Sequence, residues 1–120
     1  MALVAWQAGA MAEIELLSED QVGEALGISS MRVHALVRDG ALLSVTIGGR
    51  RGIPALFVDD GAVVKHLRSV IMQLQDARYD DVEIVQWLHR EDQSLPGSPI
   101  QALRENRGTE VKRRAQVAGF

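Results

Sequence analysis

At 120 residues, with 47% of them apolar, 24% charged and a formal net charge of −3, the chain has the make-up of an ordinary globular domain and not of a disordered or fibrous one. It contains no cysteine, which excludes disulfides and thiolate metal sites and makes a reducing cytoplasm the expected compartment. No stretch approaches the roughly 20 apolar residues of a membrane helix, so no membrane partner is expected.

Residues 1–12 read as a loose tail. They are largely apolar, but no Lys or Arg precedes the apolar run, Gln7 interrupts it and acids follow, which makes a poor signal peptide; Met11 offers a second start. Ser18 then suits a helix N-cap, Gln21 completes a capping-box pattern, and Glu19 and Asp20 favour the positive end of the helix dipole. Val22, Ala25 and Leu26 make the apolar stripe, and Gly27 ends the helix, because a left-handed C-cap favours a residue without a Cβ. Ile28 plugs the corner. Ser29 caps a second helix that runs to about Asp39 and is closed by Gly40. Its inner face is Val33, Leu36 and Val37, which turns Met31, His34, Ala35 and Arg38 outward with Ser30 and Arg32 flanking.

Leu42 to Ile47 alternates loosely as a strand, Gly48-Gly49-Arg50-Arg51-Gly52 reads as a turn, and Ile53 to Val58 as the return strand, which Pro54 assigns to a sheet edge. Asp59 or Asp60 caps a third helix to about Asp76, with Val64, Leu67, Ile71 and Leu74 on one face. A fourth runs from Asp80 to His89 with Val82, Val85 and Leu88 inside. A Ser94-Leu95-Pro96-Gly97-Ser98 loop leads to Pro99 at the first position of a short helix, and Thr109 caps a last helix carrying Lys112, Arg113 and Arg114. The expected fold is mostly α (α+β): a tail (1–12), a winged helix-turn-helix with a small β-hairpin wing (13–58), a connecting helix (59–78) and a C-terminal helical domain (79–120).

The charge is unevenly spread, and its distribution says more than its sum. Glu13, Glu15, Glu19, Asp20 and Glu24 give residues 1–28 a charge of −5, whereas Arg32, Arg38, Arg50 and Arg51 against Asp39 give residues 29–58 a charge of +3. In a helix-turn-helix the first helix braces the second, whose exposed side chains reach base edges in the major groove. Arg32 and Arg38 can fork onto guanine or phosphate, Ser30 and His34 are lesser donors, and Met31 offers an apolar contact. Arg50 and Arg51, flanked by glycines, are expected to hold phosphates or probe the minor groove from the wing. The bland readings are a scaffold hairpin of helices and a solvated turn that keeps an edge strand from aggregating; the two motifs in succession favour nucleic acid. Lys112-Arg113-Arg114 suits a DNA backbone and a helix C-terminus equally.

No catalytic residue, metal or cofactor is expected. His34, His66 and His89 lack metal-ligand spacing, the glycine turn lacks the Lys-Ser/Thr ending of a phosphate loop, and Asp59-Asp60, Asp80-Asp81 and Glu91-Asp92 suit helix N-termini better than a cleft for a small-molecule substrate.

Leu17, Ala25-Leu26-Gly27, Ser29, Arg38, Gly40 and Arg50-Arg51 resemble the recurring positions of the excisionase-like and MerR-like winged helices. With its tail, the chain from about Glu15 onward is similar to the small actinobacterial winged-helix DNA-binding proteins that are substrates of a membrane Ser/Thr kinase. It departs from them in two ways. No threonine precedes Thr46, so phosphorylation of an N-terminal tail is not carried over, and Asp39 stands beside Arg38, where related helices are more basic. Trp87-Leu88, Leu95-Pro96-Gly97, Pro99-Ile100, Leu103 and Glu110-Val111 are also similar to the helical unit with which Xre-type and ParS-type antitoxins hold their toxins. Duplex DNA binding and transcriptional regulation are the expected function. A homodimer is compatible with it, since one short winged helix gains affinity by pairing half-sites. The alternative is a protein-interaction module in which residues 79–120 hold a partner protein.

Overall fold

The computed structural model describes residues 13–91 and 97–118; the expected tail at 1–12 and residues 92–96 of the expected loop lie outside them. Helix α1 (Glu19–Leu26) starts from a reciprocal cap, in which the Gln21 N–H donates to the Ser18 hydroxyl at 3.1 Å and the Ser18 N–H donates to Gln21 Oε1 at 2.8 Å. Gly27 ends it at φ 71°, and the Ile28 N–H returns to the Gly23 carbonyl at 3.0 Å, the Schellman pattern. Ser29 caps α2 (Ser30–Arg38) through the Arg32 N–H at 3.2 Å. The two helices meet at Gly23, where a Cβ would stand 2.7 Å from the Ile28 carbonyl oxygen.

Strands β1 (Leu16–Leu17), β2 (Val45–Ile47) and β3 (Arg50–Pro54) form an antiparallel sheet in the order β1-β3-β2. Two expectations are corrected here. Only Gly48 and Gly49, at φ 57° and 79°, make the turn, a two-residue hairpin of the type that needs positive φ at both central positions. Arg50 and Arg51 therefore belong to β3. This strand is also central and not an edge. Pro54 is tolerated because it is the last residue of β3, opposite Leu16, and the next N–H, that of Ala55, carries on to the Glu15 carbonyl at 2.9 Å.

A 3-10 turn (Ala55–Phe57) ends the sheet and buries Phe57. The chain then makes a second hairpin, β4 (Val58–Asp59) and β5 (Ala62–Val63), where the third helix was expected to begin. Asp60 and Gly61, at φ 51° and 79°, are its turn, so neither Asp59 nor Asp60 caps a helix. The connecting helix is shorter than 59–78: α3 spans Leu67–Asp76 and follows His66 at φ 70°. Helix α4 (Asp81–His89) carries a full capping box between Asp80 and Glu83. Its buried residues are Ile84, Val85 and Leu88, while Val82, expected inside, is exposed because Ile84 takes the inward position. Ser98 caps α5 (Pro99–Arg104), with Pro99 at its start as expected. Helix α6 (Gly108–Val117) begins one residue ahead of Thr109, which consequently sits inside the first turn; Gly108 is there because the His66 ring lies where its Cβ would be, 2.6 Å from Cδ2.

The core is continuous from end to end of the described residues. Val22, Val33, Ile53 and Phe57 pack in one cluster with Leu67, Ile71, Leu74, Ile84, Leu88, Ile100, Leu103 and Val111. Helix α4 packs on β2, whose Val45 and Ile47 are buried, and α3 packs on α6. Arg104 pins α5 to the segment after the sheet by donating to the carbonyls of Leu56 (3.0 Å) and Val58 (2.7 Å) and to Asp59 Oδ1 (3.3 Å). Arg104→Met keeps the side-chain bulk and removes these bonds. It is expected to lower unfolding stability by about 1.5–3 kcal/mol, since bonds from a charged donor are stronger than neutral ones. An unchanged denaturation midpoint would contradict a stabilising clamp.

His89 lies under the same junction, its ring 6.1 Å from that of Phe57. Nδ1 donates to the Val85 carbonyl at 2.7 Å, while Nε2 is buried and meets no hydrogen-bond partner among the described residues. Burial therefore lowers its pKa below 6.5, against a smaller raising effect of the Val85 bond. Because the unfolded chain takes up this proton more readily, the His89 contribution is intact above pH about 6.5 and is lost as the pH falls below it. Stability measured against pH should lose part of its acid-side slope in His89→Phe; an identical slope would contradict the buried neutral imidazole.

Candidate nucleic-acid interface

Helix α2 presents its outer face because Val33 is fully buried, with Leu36 and Val37 half-buried beside it. At about 100° per residue, the centre of the opposite face falls on Met31, Ala35 and Arg38, with His34 on one flank and Arg32, about 160° from His34, on the other. Met31 is 82% exposed, and Arg32 and Arg38 are exposed with no salt bridge to acids among the described residues. Ser30 is half-buried at the start of the helix.

His34 is differently occupied. Its Nδ1 lies 2.9 Å from Glu19 Oε2, so the ring bridges α1 and α2. Nothing in the sequence signalled this pair, whose members are 15 residues apart and on different helices.

The wing divides its two arginines. Adjacent residues of a strand point to opposite faces. Arg51 stands opposite Thr46 on the exposed face of the hairpin and donates to Thr46 Oγ1 at 3.2 Å. Its side is that of α2: Arg51, Ser44, His34 and Val37 line one open groove between wing and helix. Arg50 stands opposite Ile47, on the face of the hairpin whose Val45 and Ile47 are buried, and donates to the Ile14 carbonyl at 3.2 Å. The expected paired tip is thus not formed, because Gly48 and Gly49 alone make the turn and the arginines alternate along β3. Thr46 was missed in the sequence reading; the hairpin register, had the turn been confined to two glycines, would have put it beside Arg51.

Gly52 is the reason the sheet can close. A Cβ there would lie 2.7 Å from the Leu17 carbonyl oxygen and 2.9 Å from the Leu16 Cβ, so β1 can approach only a glycine. Away from this face, Arg113 is exposed on α6 and Lys112 and Arg114 are half-buried. Among the described residues no three His, Asp or Glu side chains converge as a metal site, and no helix is long and apolar enough to cross a membrane.

These elements recur in a known family. Residues 9–58 match the family described as the winged helix-turn-helix domain of the DNA-binding protein Rv2175c, and residues 64–119 match the Rv2175c C-terminal domain of unknown function. The chain is 35% identical over 113 residues to the DNA-binding protein Rv2175c of Mycobacterium tuberculosis, an alignment covering 83% of this chain and 77% of that protein. It is similar to the NMR structure of Rv2175c with a TM-score of 0.80 and 31% identity, over 90% of this chain and 83% of the other. The chain therefore belongs to the Rv2175c family of winged helix-turn-helix DNA-binding proteins, which is not a family of enzymes.

Proposed function

We propose that this chain binds duplex DNA by inserting the outer face of α2 into the major groove, with Arg51 of the wing on the adjacent backbone, and that it acts as a transcriptional regulator. The observation that carries the reading is that Arg32, Arg38 and Arg51 are exposed on the helix-turn-helix and its wing, while Glu19, in the groove beside Arg51, is paired with His34 at 2.9 Å. Arg50 joins the interface as a brace, tying β3 to the segment before β1. Ser30 and Met31 complete the helix side. Two copies on adjacent half-sites would enlarge a small contact surface.

A salt series on random duplex tests this reading. Each phosphate neutralised contributes close to −0.9 to the slope of log K against log salt, so three arginines give about −3. No complex with any duplex at low salt, or a slope near zero, would overturn it.

The antitoxin-like alternative, in which residues 79–120 hold a partner protein, has less support. Ile84, Val85, Leu88, Ile100 and Leu103 are all committed to the chain's own core, and α4 already packs on β2.

A further inference from the structure

We infer that α2 reads the 5-methyl group of thymine through Met31 and Ala35, an inference that rests on the DNA-binding reading above. Met31 is the most exposed large apolar side chain among the described residues, at 82%. A single exposed apolar residue is ordinary by itself. This one stands at the centre of the outward face of α2, with Ala35 one turn and Arg38 two turns further along the same stripe. The stripe thus runs apolar, small, cationic, with Arg32 and Arg51 on its two sides.

That charge pattern selects the occupant. A second copy of the chain brings a net charge of −3 spread over many side chains, whereas a duplex brings regularly spaced phosphates to both flanks and base edges to the middle. On those edges the thymine methyl is the largest apolar group a Met or Ala can meet, since the same position of cytosine carries only a hydrogen and the purine edges offer mainly hydrogen-bond donors and acceptors. An unbranched thioether with three rotatable bonds adapts to a methyl whose position varies with local helix geometry. Sites preferred by this protein accordingly carry thymine where Met31 and Ala35 face the groove.

The test begins by selecting preferred sites from a randomised duplex with the full chain. The enriched site is then made twice, once with thymine and once with deoxyuridine, which pairs identically and lacks only the methyl. Wild type should bind the deoxyuridine duplex about four- to fifteenfold more weakly, the scale of one or two methyl contacts. Met31→Ala, a change at an exposed site, should narrow that ratio toward one, and its own selected sites should lose the thymine preference. Equal wild-type affinity for the two duplexes, or the same ratio in Met31→Ala, would overturn thymine reading while leaving DNA binding standing. Absence of binding to either duplex would instead remove the DNA reading beneath it.

Discussion

Replacing Arg38 and Arg51 together by alanine is expected to weaken binding to random duplex about thirtyfold at 0.15 M salt and to flatten the salt slope by nearly two. Both side chains are exposed, one at the end of α2 and one on the outer face of the hairpin. Each phosphate contact releases counterions with a slope of about −0.9, which at 0.15 M salt corresponds to roughly fivefold in affinity per contact. Arg50→Ala separates electrostatics from bracing: it removes the same formal charge from the neighbouring position, but its guanidinium is bonded to the Ile14 carbonyl on the other face. Its expected signature is a loss of stability with a salt slope close to wild type. If Arg50→Ala flattened the slope as much as Arg51→Ala does, the alternation along β3 would not govern which arginine meets DNA.

Gly23→Ala is expected to be strongly damaging for a single-methyl change, costing about 2–3 kcal/mol and lowering the melting temperature by about 10 °C. Alanine is the better helix former by up to 1 kcal/mol, so propensity alone gives the opposite sign. Packing wins because the added Cβ would lie 2.7 Å from the Ile28 carbonyl oxygen, which is backbone of the turn between α1 and α2 and cannot swing away as a side chain would. Relief requires α2 to move relative to α1, so DNA affinity should fall along with stability. Gly27 supplies the contrast. A Cβ there meets nothing within 4 Å, and φ is 71°, so Gly27→Ala costs only the backbone strain of about 1–2 kcal/mol. Gly27→Asn should recover part of that loss, because Asn tolerates the left-handed region, whereas Gly23→Asn should not recover. Calorimetric melting of the four variants distinguishes crowding from strain, and a Gly23→Ala protein as stable as wild type would contradict the tight turn.

The parts of this protein governed by local chemistry were legible in its sequence. Ser18 with Gln21, Gly27, Ser29 and Pro99 each announce a helix boundary through bonds made within a few residues, and all appear where expected. The outward face of α2 followed from periodicity, since Val33 had to be inside. Two errors arose where short-range signals competed. Asp59-Asp60 resembles a helix cap, but Asp60-Gly61 is also a hairpin turn, and the pairing of Val58 with Val63 decided for the hairpin. Five residues of glycine and arginine resemble one long turn, yet two glycines suffice for the turn. Once the turn is that short, strand alternation sends Arg50 and Arg51 apart.

The long-range features were not legible at all. The Glu19–His34 pair, the Arg104 clamp on Leu56 and Val58, and the seating of α4 on β2 join residues between 15 and 48 positions apart. The clamp and the seating matter for function because they give the C-terminal helices a physical connection to the wing. The inner side of the hairpin is packed on α4, which leaves its outer side, with Thr46 and Arg51, turned to solvent.

The most direct measurement is an amide chemical-shift titration of the isotope-labelled full chain with a short duplex. The perturbed amides are expected to cluster on Ser30 to Arg38 and on Thr46 to Arg51, while those of α4 and α6 stay unmoved. A footprint centred on Lys112 to Arg114, with α2 silent, would contradict it.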